Sequence, residues 1–421
     1  MQLLIDCNNF FVSCERVFRP DLRDKPVAVM SSNDGCIVAR SNEVKALGIP
    51  MGVPVFQVRD IIRRHTVTLF SSNFALYGDM SNRVMSMLMR YSDDVDIYSI
   101  DEAFLQFDTR EREPGGWERL AHTIRADILR ATGIPVSIGI AQTKTLAKVA
   151  SERAKKGGGV FSLLDPEVRL RVLAEYPIGE VWNIGCAHTR RLIGRNVTTA
   201  GAFCAVPTSW IARHMGIGGL RTYYELIGMA CFGEMGVPQE RKSIMSSRSF
   251  GIPTKSFDAL YEALAGHTAE VMKKARCQES TVRTVSIMIM RRERGDDLRY
   301  THSRSCEVGY LTDDTRVVLK LVRGMLGDLF IPGARYIKAG VLISGLMPYA
   351  CAEQPTLFAK CRPATVRDPL FVCMDTLNRT HGRGTIRFAV EPVYGREQTA
   401  VAHKHRSPAY TTGWSDVVRV R

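Results

Sequence analysis

The chain has no run of about 20 apolar residues, so none of it reads as a membrane-spanning helix. Its start, Met1-Gln2-Leu3-Leu4-Ile5-Asp6, lacks the basic and apolar regions of a signal peptide, and the two absences predict a cytoplasmic protein. There is no Cys-x-x-Cys pair and no histidine at zinc-ligand spacing, so the 11 cysteines, scattered from Cys7 to Cys373, read as reduced thiols. Internal repeats and low-complexity tracts are absent as well. Acidic residues are in deficit: 43 Asp and Glu face 57 Lys and Arg, a formal charge of +14, which points to a polyanionic partner without naming it. At 421 residues with 45% hydrophobic content, the chain is globular and long enough for three or four domains.

What is present is acid where apolar strands are expected. Leu3-Leu4-Ile5-Asp6 ends at the turn-prone Asn8-Asn9, and Val95 to Phe104 reads as one strand carrying Ile100-Asp101-Glu102. A carboxylate without a partner in buried sheet costs several kcal/mol or takes up a proton, so Asp6, Asp101 and Glu102 make most sense around divalent cations. Hard oxygen ligands point to magnesium. Taken singly, each acid has an ordinary reading. Asp6 suits a turn or cap, and neighbouring Asp101 and Glu102 would point to opposite faces of a strand, one of them to solvent.

Helices and strands alternate around these acids. The pattern predicts a helix after Asn9, a strand over Lys25 to Met30, a turn at Asn33-Asp34-Gly35 and a helix from Asn42 that Gly48 stops. Further helices are expected over Leu76–Tyr91, Trp117–Thr132 and Thr143–Lys156, with a strand over Pro135–Ile140. Gly157-Gly158-Gly159 follows Lys155 and Lys156, an arrangement that suits phosphate and also suits the dipole of any helix C-terminus. Val181 to Leu192 looks like a helix-hairpin-helix in which Asn183 replaces the first glycine, so that the amides at Ile184 and Gly185 would face a DNA phosphate; a plain helical connection is the competing reading. After a polar linker at Gln239–Ser243, the remaining elements spell β-α-β-β-α-β. Arg283 and Arg291 share a strand parity with Val285, Ile287 and Ile289, and Arg292 follows, so basic residues on an open sheet would track a phosphate backbone or merely solvate an edge.

Together these segments resemble the Y-family lesion-bypass DNA polymerases, and within them the UmuC-like branch, the catalytic subunits of bacterial error-prone polymerase V. The resemblance rests on Asp6 with Asn8, Phe10 and Phe11, on Arg19-Pro20-Asp21-Leu22, Ser31 to Cys36, Phe70 to Asn73, Asp79 to Ser86 and Tyr98 to Phe104. It continues through Ala141 to Lys148, the hairpin, the β-α-β-β-α-β unit, Met374 to Asn378 and Gly382-Arg383-Gly384. It implies an α+β multidomain right hand: a palm at 1–12 and 75–165, small fingers at 13–74, a helical thumb at 166–238, a little finger at 243–350 and a regulatory tail at 351–421.

The resemblance further implies that Asp6, Asp101 and Glu102 hold two magnesium ions with the help of the Cys7 carbonyl, and that a primer 3'-hydroxyl attacks a dNTP. Phe11 matches the steric gate against a ribose 2'-hydroxyl, Phe10 flanks the nucleotide, and Lys155 matches the family's triphosphate lysine. Lys45 stands where many relatives place an arginine on the same phosphates, supplying charge but no bidentate fork. Gln354-Pro355-Thr356-Leu357-Phe358 resembles a sliding-clamp peptide, with Gln354, Leu357 and Phe358 as anchors. The implied partners are primer-template DNA, a processed UmuD-type dimer, a RecA filament and the sliding clamp, in an SOS-induced protein that joins the nucleoid when active. Two other functions fit parts of the pattern. Three carboxylates alone also suit a nuclease or nucleotide cyclase, and a DNA-bound checkpoint scaffold would need no catalysis at all.

Overall fold

The computed structural model describes residues 1–107, 115–233, 240–292, 299–349, 368–392 and 404–417. They fall into two compact units, residues 1–238 with 403–421, and residues 239–402.

The first unit runs β1 (Gln2–Cys7), α1 (Phe10–Phe18), β2 (Val27–Met30), β3 (Ile37–Arg40), α2 (Asn42–Ala46), α3 (Arg59–Arg64), β4 (Thr68–Ser71), α4 (Phe74–Leu88), β5 (Val95–Ile97) and β6 (Glu102–Gln106). It continues with α5 (Gly116–Thr132), β7 (Val136–Ala141), α6 (Lys144–Lys156), β8 (Val160–Ser162), α7 (Pro166–Glu175), α8 (Cys186–Ile193), α9 (Ala200–Cys204) and α10 (Thr208–Leu226). Five strands form one sheet in the order β5-β6-β1-β7-β8, with β1 antiparallel to both neighbours. Every residue of β1 is buried, because helices cover both faces. Leu3 and Ile5 enter a core with α1, α4 and α5, whereas Leu4 enters a second core with Phe104 and α6. Strand alternation therefore sends Asp6 and Glu102, two residues from Leu4 and Phe104, to the α6 side.

Gly139 on β7 lets α6 lie that close. A Cβ there would sit 2.2 Å from the Ala147 carbonyl oxygen and 2.3 Å from the Ser151 nitrogen. Thr143 caps α6 through the Leu146 amide, 3.3 Å away. The fully buried Glu225 at the end of α10 takes the amides of Thr145, Cys231 and Phe232, tying the helical segment after residue 166 to the start of α6. A separate three-stranded sheet, β3-β2-β4, has its own small core around Ile37, Val44 and Ile49.

The second unit runs β9 (Ser243–Thr254), α11 (Phe257–Cys277), β10 (Ser280–Arg292), β11 (Arg299–Thr312), α12 (Thr315–Leu329), β12 (Arg335–Ser344), β13 (Met347–Pro348) and α13 (Pro369–Thr380). Its antiparallel sheet has the order β11-β10-β12-β9, and α11 and α12 pack against it over Val285, Ile287, Ile289, Val341 and Ile343. This is the β-α-β-β-α-β pattern read from the sequence, and the whole is the mixed α and β architecture expected.

Three expectations change. The acidic strand is two strands, β5 and β6, joined by a tight turn, with Ile97 opposite Ala103. Ser99 makes that turn: its hydroxyl bonds Asp101 Oδ1 at 2.5 Å and takes the amides of Asp101 and Glu102 at 3.2 and 3.1 Å, so Asp101 sits in the turn rather than on a strand. The arginines of β10 do not form one row on an open face. Val285, Ile287 and Ile289 are fully buried beneath the helices, and register shifts beside Arg283 and Arg291 break the shared parity. Lastly, the residues after 351 are not one tail. In the second unit α13 docks through Arg276, 6% exposed, which pairs with Asp375 at 2.7 Å. Residues 404–417 belong to the first unit.

Candidate active site

The chain leaves β1 through Asn9, which takes a left-handed φ of 48° and turns directly into α1. Asn8 holds the turn by accepting from Ser137 Oγ at 2.8 Å on its side chain and from Ser13 Oγ on its carbonyl. In the β1–β6 register Asp6 lies directly opposite Glu102, and the Cys7 amide donates to the Asp101 carbonyl at 2.8 Å. The ends of two adjacent strands thus bring Asp6 and Glu102 together, and the backbone carbonyl of Asp101 lies beside them on the Cys7 amide.

Like charges opposed across a ladder repel. Two lysines seven residues apart on α6, hence on one face, compensate them. Lys155 Nζ lies 2.8 Å from Asp6 and 2.7 Å from Glu152, and Lys148 Nζ spans both Glu102 oxygens at 3.0 and 2.9 Å. Burial pushes the Asp6 carboxyl up to about 7, with Glu102 adding to the rise and Lys155 opposing it. Burial works to lower the Lys155 ammonium, but Asp6 and Glu152 outweigh it and hold it above its ordinary value. A carboxyl so placed stays charged only beside a cation. Among the described residues no three acid, histidine or cysteine side chains converge as a ready metal site. The donor chemistry nevertheless fits divalent cations, because these acids are hard oxygen ligands whose charge two ammonium groups now balance.

Asp6, Glu102, Lys148, Glu152, Tyr176 and Trp182 line a cleft of about 360 Å³. Sequence reading included Lys148 in a family-like segment but gave it no role at the site, although it lies two turns before Lys155 on the same helix. Its ammonium lies 4.3 Å from the Tyr98 ring and 5.5 Å from that of Trp182, and Trp182 Nε1 donates to Tyr98 at 3.1 Å.

Phe11 is half-buried, stacks on Tyr77 at 4.4 Å and 13°, and meets Phe74 edge-on at 6.0 Å. Phe10, 3% exposed, lies in the core, and its side chain is not part of the cleft lining. Partial desolvation, then the charges of Arg40 and Lys155, lower the Lys45 pKa, so three cations share one neighbourhood. Asn42 accepts from Asn9 Nδ2 at 3.1 Å, linking α2 to the β1–α1 turn. Cys7 is a buried thiol raised far above its usual range by burial and the neighbouring carboxylates.

Asn183 has the left-handed φ of 68° that lets it replace glycine, and Gly185 opens α8. Ile184 is 5% exposed and packs in the core, so only its backbone is available there. In the second unit Arg283 and Arg292 stand near opposite ends of β10, roughly 30 Å apart along the strand. Register instead aligns Arg292 with Arg299 on one side and Arg335 on the other, a three-arginine row that sequence parity did not reveal. Arg291 Nε donates to His302 Nε2 at 3.1 Å. Gln354, Leu357 and Phe358 lie outside the described residues.

Residues 5–152 match the impB/mucB/samB family, residues 241–357 that family's C-terminal domain, and residues 368–420 a domain of unknown function. Protein UmuC of Salmonella typhimurium is 36% identical, with 100% of both chains covered. Protein MucB of Escherichia coli is 32% identical over 99% of both, and DNA polymerase IV of Desulfatibacillum aliphaticivorans is 27% identical over 91% of this chain and 94% of its own. Among solved structures, a Y-family DNA polymerase chimera of Dbh and Dpo4 shares the fold, with a TM-score of 0.66 at 21% identity over 82% of this chain and 99% of the chimera.

Proposed function

The chain belongs to the impB/mucB/samB family and is a UmuC-like, error-prone translesion DNA polymerase of the SOS response, and from that premise we propose that Asp6, Asp101 and Glu102 form its catalytic centre. The observation that carries this assignment is the pair of directly opposed carboxylates, Asp6 and Glu102, lining a cleft and balanced by Lys155 and Lys148. The nuclease, cyclase and scaffold readings lose their footing in a chain related to UmuC from end to end.

In this reading Asp6, Asp101, Glu102 and the Cys7 carbonyl hold two magnesium ions. Bound there, they would make the primer 3'-hydroxyl more acidic and neutralise the triphosphate. The protein's own part is to hold charge and shape. Lys155, with Lys45, presents ammonium groups to the triphosphate, and Lys148 restrains Glu102. Phe11, backed by Tyr77, closes the space a ribose 2'-hydroxyl would need. The amides at Ile184 and Gly185 and the arginines at 283, 291 and 292 bind the DNA backbone, with Arg299 and Arg335 extending the row. Full activity requires a processed UmuD-type dimer and a RecA filament, Gln354, Leu357 and Phe358 dock on the sliding clamp, and the protein works in the cytoplasm on the nucleoid. Among the described residues no helix is long and apolar enough to cross a membrane.

Primer extension on undamaged and abasic templates, with and without the UmuD-type partner and RecA, tests the assignment. Bypass by the wild-type chain that vanishes in Asp101→Ala/Glu102→Ala, with DNA binding intact, is expected. Full bypass by the double variant would overturn it.

A further inference from the structure

The segment 404–417, in the region matched to a domain of unknown function, lies within the first unit against the three-stranded sheet and α1. Its start runs parallel to β4: the Ser71 amide donates to the His405 carbonyl at 3.0 Å, and the His405 amide to Ser71 Oγ at 3.0 Å. Asp34 Oδ2 accepts from both Ser71 Oγ and the Lys404 amide. Asn73 Nδ2 donates to Ser407 Oγ at 3.0 Å and to the Pro408 carbonyl at 3.1 Å, and Tyr410 stacks on Phe18 at 4.5 Å and 7°. These bonds use backbone and buried side chains, so the seat is specific.

The segment also reaches a chain of side chains that ends at the nucleotide pocket. Ser407, 8% exposed, donates its hydroxyl to Glu15 Oε1 at 3.1 Å, and the Tyr77 hydroxyl donates to the same oxygen at 2.7 Å. Glu15 and Tyr77 are fully buried, and Glu15 Oε2 has no hydrogen-bond partner among the described residues. Burial raises the Glu15 carboxyl pKa, with the two hydroxyls working against the rise. The carboxyl's orientation thus depends on two donors, one of them from the C-terminal segment. Tyr77, fixed by Glu15, is the ring on which Phe11 stacks.

We propose that residues 404–417 act as a built-in brace of the nucleotide pocket, with Ser407 a positioning residue that sets deoxyribose selectivity through Glu15, Tyr77 and Phe11. This gives the C-terminal match of unknown function a role in substrate choice. It rests on the reading of Phe11 as the ribose-facing side chain, which the control below tests separately. Losing one of two donors to a buried carboxyl leaves Tyr77 freer to tilt, and the Phe11 ring with it, so the space beside the sugar's C2' widens.

The test compares kcat/KM for a dNTP and its matching rNTP in the full chain with magnesium, the UmuD-type partner and RecA. Ser407→Ala is expected to lower the dNTP-to-rNTP ratio about 5- to 10-fold, mainly by improving rNTP use, while dNTP kcat stays within about twofold. Ser407→Thr, which keeps the hydroxyl, restores the ratio. Should Ser407→Ala fail to fold, Tyr410→Leu, which removes the stack on Phe18, reads the same ratio and is expected to lower it. An unchanged ratio, or an equal loss for both substrates, overturns the brace while a collapse of the ratio in Phe11→Ala leaves the gate standing. An unchanged ratio in Phe11→Ala removes the gate and the brace together.

Discussion

Asp6 and Glu102 face each other across β1 and β6, and each is held by its own lysine from a single face of α6. The acids need positive charge, and the lysines supply it; in the proposed function magnesium and a triphosphate would bring charges of both signs.

Under the proposed assignment, Lys155 would compete with metal for Asp6 while attracting the nucleotide. Lys155→Met is expected to raise the dNTP KM about tenfold and to lower the half-saturating magnesium concentration. Steady-state extension across a magnesium titration checks both. A parallel rise in the two values would count against the shared role.

Gly139 governs how near α6 comes to the sheet. In Gly139→Ala the new methyl meets backbone at 2.2 Å, which no rotamer change relieves. Stability is expected to fall by about 3 kcal/mol or more, with activity falling further as Lys148 and Lys155 withdraw. Urea unfolding and primer extension of the same preparation read the two effects.

The row Arg299, Arg292 and Arg335 opposes like charges across three strands, an arrangement a bound phosphate backbone would stabilise. Arg292→Ala/Arg335→Ala is expected to weaken primer-template binding about tenfold and to flatten its log–log salt slope by one to two units, roughly one for each phosphate contact. The dNTP KM should not move. An unaltered salt slope would show that the row binds no phosphate.

His267, its Nδ1 2.8 Å from Ser246 Oγ, is lowered from 6.5 to about 4 by burial, with Arg248 and Arg383 adding and Glu270 opposing. The folded unit favours neutral imidazole, so this contribution to stability is complete above the unfolded value and is lost as pH falls from 6.5 toward 4. His267→Gln should remove that slope from urea midpoints compared at about pH 5 and about pH 7.5. An identical pH dependence in the variant would rule His267 out as its source.

Much of the site was legible because its signals are local. Asp6 after an apolar strand, Asp101-Glu102 beside strand-forming residues, and the lysines before a glycine run are each adjacent in sequence, and hydrophobic periodicity gave most helices and strands. The turn at Ser99 was hidden, because Val95 to Phe104 is uniformly rich in strand formers and the break comes from a serine hydroxyl folding back on three groups. The arginine row was hidden for a different reason. Strand parity holds only until a register shift, and pairing across strands is not written in either strand alone.

By itself the sequence determined the chemistry of this protein: a family, hard-oxygen acids at strand ends, basic residues for a polyanion, and the order of helices and strands. Tertiary structure decided which groups act on one another. Sheet register opposed Asp6 to Glu102, the missing Cβ of Gly139 brought Lys148 and Lys155 over them, and packing carried Ser407 to Glu15, 392 residues away in the chain. Hydrogen bonds and ion pairs act over a few ångströms, and only folding brings residues so far apart in sequence within that range.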